Sequence, residues 1–286
     1  MNFNYEEAFS RNLGWVTVEE QALLRKKKVA IAGLGGVGGI HLVTLSRLGI
    51  SNFHIADFDQ FELPNFNRQA GASVSTLGLE KSEVMKKQAL DINPESQITL
   101  FKEGVTEKNI DAFLEGVDIY VDSVDFFAFE ARELLFRKCY EKGIPAITAG
   151  PLGMSSAVMS FLPGKMSFED YFQWEGQSND QKALRFMMGL SPRGIHMKYL
   201  VDRTRVNFKE GRGPSTGMAC QMCAGIAGVE VLKILLGRGK VYCAPWSYQF
   251  DAYTTRLVKT WRPCGNRNPL QRLLLALAAI HLKRNS

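Results

Sequence analysis

The chain has 286 residues, of which 45% are hydrophobic, and a formal net charge of +6. That length and apolar share supply a full-sized buried core and exclude a repeat or low-complexity protein. The positive charge permits a polyanionic partner without demanding one, because the cations are not gathered into one long run.

Strand–helix alternation over residues 29–150 predicts an α/β fold, a Rossmann-like, mostly parallel sheet with helices on both faces. Val29-Ala30-Ile31-Ala32 is a short β-branched apolar run, read as a buried parallel strand. It runs into Gly33-x-Gly35-Gly36-x-Gly38, and residues 41–47 follow at helical spacing, closed by Gly49. Strand, tight turn and helix in that order are the context in which a glycine loop binds a nucleotide, with the free N–H groups of the helix start facing a phosphate. The second strand, residues 53–56, ends at Asp57, 19 positions after Gly38, where an acid holds ribose hydroxyls. The glycines alone leave the nucleotide open: an NAD-type site and a ligand-free turn both remain.

The continuation is more specific. Asp57 and Asp59 are followed by Asn65, Arg68 and Gln69, and Lys81 then opens a helical run to about Asn93. A planar guanidinium, amides and an ammonium suit phosphate oxygens. Residues 117–124 read as a buried strand with Asp125 at its carboxyl end, the edge where open α/β sheets bind ligands. Beside a triphosphate, that carboxylate is a natural Mg²⁺ ligand. Any one of these residues also reads as a helix cap or a solvated charge. The ordered set predicts a site for ATP and Mg²⁺.

In this set the sequence resembles the ThiF/MoeB/HesA family, the bacterial relatives of ubiquitin-activating E1 enzymes, from about Tyr5 to about Lys259 and most strongly over 28–150. The resemblance implies that Gly33, Gly35, Gly36 and Gly38 cradle ATP and that Asp57, of the Asp57–Asp59 pair, binds ribose. It places Asn65, Arg68 and Gln69 on the phosphates, Lys81 at the next helix start and Asp125 on Mg²⁺. It also makes Arg11 the residue that reaches the partner subunit's ATP in a homodimer. The family's Asp-Asn pair is Asp125-Phe126 here, with Arg132 kept a few positions on. The implied reaction is attack of a carboxylate on the α-phosphate of ATP, giving an acyl-adenylate and pyrophosphate. A carboxylate is already ionised at neutral pH, so no general base is required. Fixed positive charge from Arg68, Lys81, Arg11 and Mg²⁺ supplies the stabilisation. The implied substrate is the C-terminus of a small ubiquitin-like or sulfur-carrier protein. A small-molecule or tRNA-borne carboxylate is the alternative, since one branch of the family dehydrates a threonylcarbamoyl group on tRNA, and an NAD-binding oxidoreductase is a third reading.

Five cysteines, an odd number, and no apolar N-terminal signal predict free thiols in a reducing cytoplasm. Cys220-Gln-Met-Cys223 is a lone C-x-x-C pair, so no zinc site is expected. The crossover insertion, about 161–215, contains no cysteine, which leaves Cys220 as the one candidate for a thioester or persulfide. The insertion carries aromatics over 168–174 and 186, and a basic stretch of Lys198, Arg203, Arg205, Lys209 and Arg212 able to receive a peptide tail or RNA. Strands expected at 154–162, 240–250 and 256–261 extend the sheet within a single domain, 1–262. The 263–286 tail holds a helix opening at Pro269, whose apolar core is shorter than the ~20 residues of a membrane span. That helix is expected to pack on the body or on a second copy. His41 and His54 are expected to be structural.

Overall fold

In this computed structural model the described residues are 3–205 and 213–284. Lys209 and Arg212 of the basic stretch lie outside them. Strands β1 (Lys28–Ala32), β2 (Asn52–Ala56), β3 (Gln97–Phe101), β4 (Ile119–Asp122) and β5 (Ala146–Leu152) run parallel. Strands β6 (Ser155–Phe161), β7 (Trp246–Asp251) and β8 (Arg256–Trp261) follow, each antiparallel to its predecessor. The order across the sheet is β3-β2-β1-β4-β5-β6-β7-β8. The chain therefore reverses its direction of travel between β1 and β4, which opens a crevice at their carboxyl ends. Two successive reversals restore the strand direction, so the carboxyl end of β7 lies at that same edge.

The helices are α1 (Tyr5–Ala8), α2 (Val18–Lys26), α3 (Gly38–Arg47), α4 (Lys81–Ile92), α5 (Ile110–Phe113) and α6 (Phe129–Glu141). After β6 come α7 (Phe168–Phe172), α8 (Asn179–Leu190), α9 (Gly217–Leu236) and, last, α10 (Pro269–Arg284). Alternation along β1 sends Val29 and Ile31 to one face and Ala30 and Ala32 to the other. The first face is covered by α2, α3, α4 and α9 through Leu24, Leu42, Met85 and Val231. The second is covered by α5 to α8 through Phe113, Phe136, Phe172 and Phe186. The aromatics of the crossover are thus core. Phe168 stacks on Phe136 with ring centroids 4.4 Å apart, and Trp174 lies edge-on to Phe168.

Two predicted strands are shorter than expected. The 117–124 run is strand only over β4: Asp118 and Ser123 still donate to the Lys28 and Ala32 carbonyls of β1, and Val124 turns over the glycine loop. The 240–250 run pairs only from Trp246: Pro245 has no N–H for the ladder, and Ala244 donates a single bond to the Ser160 carbonyl. Helix α9 is long and apolar enough to cross a membrane by length and composition. Here it packs on α3, β5 and β6 with Cys223, Ala224, Ala227 and Val231 buried. Helix α10 docks on α8, where Gln271 donates to the Met188 carbonyl at 2.9 Å, and leaves Leu270, Leu273, Leu277 and Ile280 exposed.

Candidate nucleotide site

The β1–α3 turn is shaped by two glycines that packing demands. Gly33 has φ +84°, and a Cβ there would stand 2.2 Å from the Ser123 carbonyl oxygen. A Cβ on Gly38 would meet the Gly33 carbonyl oxygen at 1.8 Å. Gly35 differs: its nearest neighbour would be the Gln69 amide nitrogen at 3.7 Å. Apart from its two chain neighbours, no other atom of the described residues lies within 4 Å of that point, so the loop is open above Gly35.

Gln69 and Arg68 reach this loop from the segment after β2. A Cβ on Gly36 would lie 3.6 Å from the Arg68 Nε and Cδ and 3.2 Å from the Cys220 sulfur. Arg68 donates Nη1 to the Pro64 carbonyl at 2.9 Å and to Asn67 Oδ1 at 3.0 Å. Its Nε and Nη2 have no hydrogen-bond partner among the described residues, so three N–H donors remain. Gln69 is buried, and its Oε1 has no partner; neither does the buried Ser123 hydroxyl beside Gly38. Buried polar atoms with no partner among the described residues, set beside the glycine loop, fit a polar ligand such as a nucleotide.

Asp57 ends β2 with its carboxylate accepting the Leu34 N–H of the glycine loop and the Asp59 N–H. Burial pushes its carboxyl above the usual range, opposed by those two N–H groups and by Lys81. Lys81 opens α4, 7% exposed at its side chain, and ion-pairs with Asp59 at 2.8 Å. Asp59 is therefore committed to holding the ammonium at the crevice. Asn65 shapes the backbone: its Oδ1 accepts the Glu62 N–H, and its carbonyl accepts those of Arg68 and Gln69.

Asp125 follows the turn whose Val124 packs on Gly33, and its Oδ1 accepts the Phe127 N–H at 2.9 Å. The cap reading and the site reading thus coexist in one exposed carboxylate. Mg²⁺ takes one or two carboxylates, phosphate oxygens and waters, so a lone Asp125 fits it. Among the described residues no group of three His, Cys, Asp or Glu is placed to hold a metal.

Arg132 is not at the crevice surface. It donates Nε to Asp122 Oδ2 at 2.9 Å, Nη1 to the Phe126 carbonyl and Nη2 to that of Val124, beneath the Phe186 ring. It pins the loop that carries Asp125. Arg11 stands apart too. Its short turn, 10–12, packs through Asn12 on the carbonyls of Arg47 and Leu48, the end of α3 remote from the glycine loop. Ten helical residues, about 15 Å, separate the two. Cys220 lies against the cradle but is buried, which pushes its thiol up against the opposing pull of Ser215 and Arg68. That keeps it protonated, unlike a poised nucleophile.

Sequence reasoning missed Ser123, Asp122 and Asn67. Asp122 had a signal, since a carboxylate in a buried strand needs a cation. Asn67 donates its amide to the Ser215 carbonyl at 2.9 Å and so ties the phosphate-side segment to the start of α9. Nothing in the sequence announced that contact.

The chain is 33% identical over 142 residues to the tRNA threonylcarbamoyladenosine dehydratase of Bacillus subtilis, covering 49% of this chain and 55% of that one. It is 26% identical over 148 residues to the sulfur carrier protein ThiS adenylyltransferase of Escherichia coli, covering 52% and 58%. The chain thus spans little more than half the length of these relatives. Its fold matches that of E. coli MccB with ATP at a TM-score of 0.64, with 22% identity over 85% of this chain and 66% of that one. The ThiF family model matches residues 9–273, and the chain belongs to the ThiF family.

Proposed function

We propose that this chain is an ATP-dependent adenylyltransferase that converts a carboxylate to an acyl-adenylate with release of pyrophosphate. The convergence of Arg68 and Gln69 on the open Gly35–Gly36 side of the loop carries this reading. Asp57 orients the ribose, and the free donors of Arg68 and the ammonium of Lys81 face the charge that builds on the phosphates. Gly33 and Gly38 bring the first turn of α3 close enough to present its N–H groups. Mg²⁺, held by Asp125, neutralises phosphate charge when bound. The rest of the catalysis is positioning, because the attacking carboxylate carries its own charge.

The acyl carrier is the open term. By analogy with the ThiS adenylyltransferase it is the C-terminus of a small carrier protein. By analogy with the tRNA threonylcarbamoyladenosine dehydratases it is a carboxylate on RNA. Arg11, remote from its own glycine loop, serves the site of a second copy in a homodimer. The exposed apolar residues Trp15 (84%), Val18, Met218 and Val229 on and beside α9 supply the surface. Calorimetric titration with ATP and Mg²⁺, and separately with NAD⁺, tests the reading. Saturable Mg²⁺-dependent ATP binding, abolished in Arg68→Ala, is expected. Preference for NAD⁺ over ATP would sink it.

A further inference from the structure

Charge is distributed unevenly along this chain. Residues 182–286 carry 18 of its 35 Lys and Arg residues but only 4 of its 29 Asp and Glu. Of those four, Asp251 and Glu230 are buried, and Asp202 is paired with Arg205. Lys182, Lys233 and Arg238 pair with Glu133, Glu230 and Glu20, and the other cations of this part of the chain have few carboxylates of their own stretch to face.

Three of these cations line one cleft. Residues 195–199 form a short helical turn lying over the β5–β6 turn, where Tyr199 accepts the Met154 N–H. Between this turn and the start of β8 lies a cleft of about 530 Å³, lined by Arg193, Lys198, Thr255 and Arg256 with Ile195 and Leu257. It contains no carboxylate. All three cations are exposed, and none of their side chains has a partner among the described residues. Two residues before Thr255, Tyr253 is 62% exposed, and its ring lies tilted at 36° to that of Tyr199 with centroids 4.5 Å apart. Thr255 holds φ +53°, a conformation costly for a β-branched residue.

We propose that this cleft is a nucleic-acid docking site and that the carboxylate activated at the glycine loop is carried on RNA. The inference rests on the adenylation reading and names its substrate class. Phosphates are matched by three unopposed cations and a hydroxyl, and an exposed tyrosine packed against a second aromatic ring offers a platform for a base. The cleft stands at the carboxyl end of β7, the same sheet edge as the glycine loop. Four strand spacings separate β7 from β1, about 20 Å. A strand anchored in the cleft can run along the edge and deliver a modified nucleotide to the crevice.

The test uses the full chain with labelled bulk tRNA, an oligoglutamate peptide of matched charge, and inorganic phosphate as competitor. The triple variant Arg193→Ala/Lys198→Ala/Arg256→Ala is expected to lower the slope of log K against log salt by about 2, close to 0.7 per lost phosphate contact. Tyr253→Ala is expected to weaken tRNA binding about tenfold with the slope unchanged. Both variants should bind ATP as the parent does. Equal tRNA affinity and slope in parent and triple variant would overturn the proposal. So would oligoglutamate binding that depends on the three cations while tRNA does not bind, which assigns the cleft to an acidic protein. Competition by inorganic phosphate as effective as by tRNA would reduce it to a small-anion site and also overturn it. A parent chain that binds tRNA but not ATP would instead remove the adenylation reading and leave the cleft standing.

Discussion

Asp122 and Arg132 form a buried pair whose two side chains are 1% and 4% exposed. Removing one charge strands the other, at a cost of about 3–5 kcal/mol. Arg132→Ala is therefore expected to lower the unfolding free energy by that amount in a denaturant titration, and Asp122→Asn combined with Arg132→Met to recover most of it. His41 is a second buried group, with Nε2 unpaired and its pKa pushed down to about 4 by burial. A histidine depressed from 6.5 leaves the unfolded state binding more protons below neutrality, so stability falls as pH drops from about 6.5 toward 4. At pH 5 the loss from this residue is about 2 kcal/mol. His41→Gln should flatten that part of the profile, and an unchanged acid limb would refute the assignment. His196, likewise depressed to about 4, adds a limb of the same sign.

At the scale of elements, the β1–α3 turn separates what folding needs from what binding needs. Gly38→Ala drives a methyl into backbone and is expected to cost more than about 3 kcal/mol, with loss of soluble protein. Gly35→Ala meets nothing closer than 3.7 Å and should keep the parent's stability to within about 0.5 kcal/mol while weakening ATP binding. A Gly35→Ala variant that binds ATP normally would put the nucleotide elsewhere. The glycine loop, Asp57 and Lys81 were legible in the sequence because local chain geometry fixes them: each lies within a residue or two of a strand end or helix start. Strand β3 was not singled out, since it is an edge strand with a half-exposed pattern and no motif. Sequence spacing places Arg132 near Asp125, but its anchoring of that loop from beneath depends on an inward-turned side chain, which spacing does not fix. The cationic cleft joins residues about 60 apart in sequence and leaves no local signature.

For the whole molecule, the distance from Arg11 to its own glycine loop makes the proposed homodimer testable by complementation. Arg11→Ala and Arg68→Ala should each abolish adenylation, read as pyrophosphate exchange with a substrate-bearing extract. Mixed and re-equilibrated, they should recover about a quarter of the parent's active sites, since half the dimers are mixed and each then holds one intact site. No recovery would place Arg11 in its own subunit's site or outside any site. Val229→Glu, on the outward face of α9, should halve the mass seen by light scattering. The Asn67 clasp has a consequence on this scale as well. One side chain gives its amide to Ser215, where the crossover rejoins the core, and its oxygen to Arg68. A macromolecule docked as proposed and drawing on Ser215 would shift the guanidinium by the same lever, and thermodynamic reciprocity would then require nucleotide binding to shift the crossover in return. On that reading, occupancy at one end of the sheet edge is reported at the other, and nucleotide and acyl carrier are met as a linked pair.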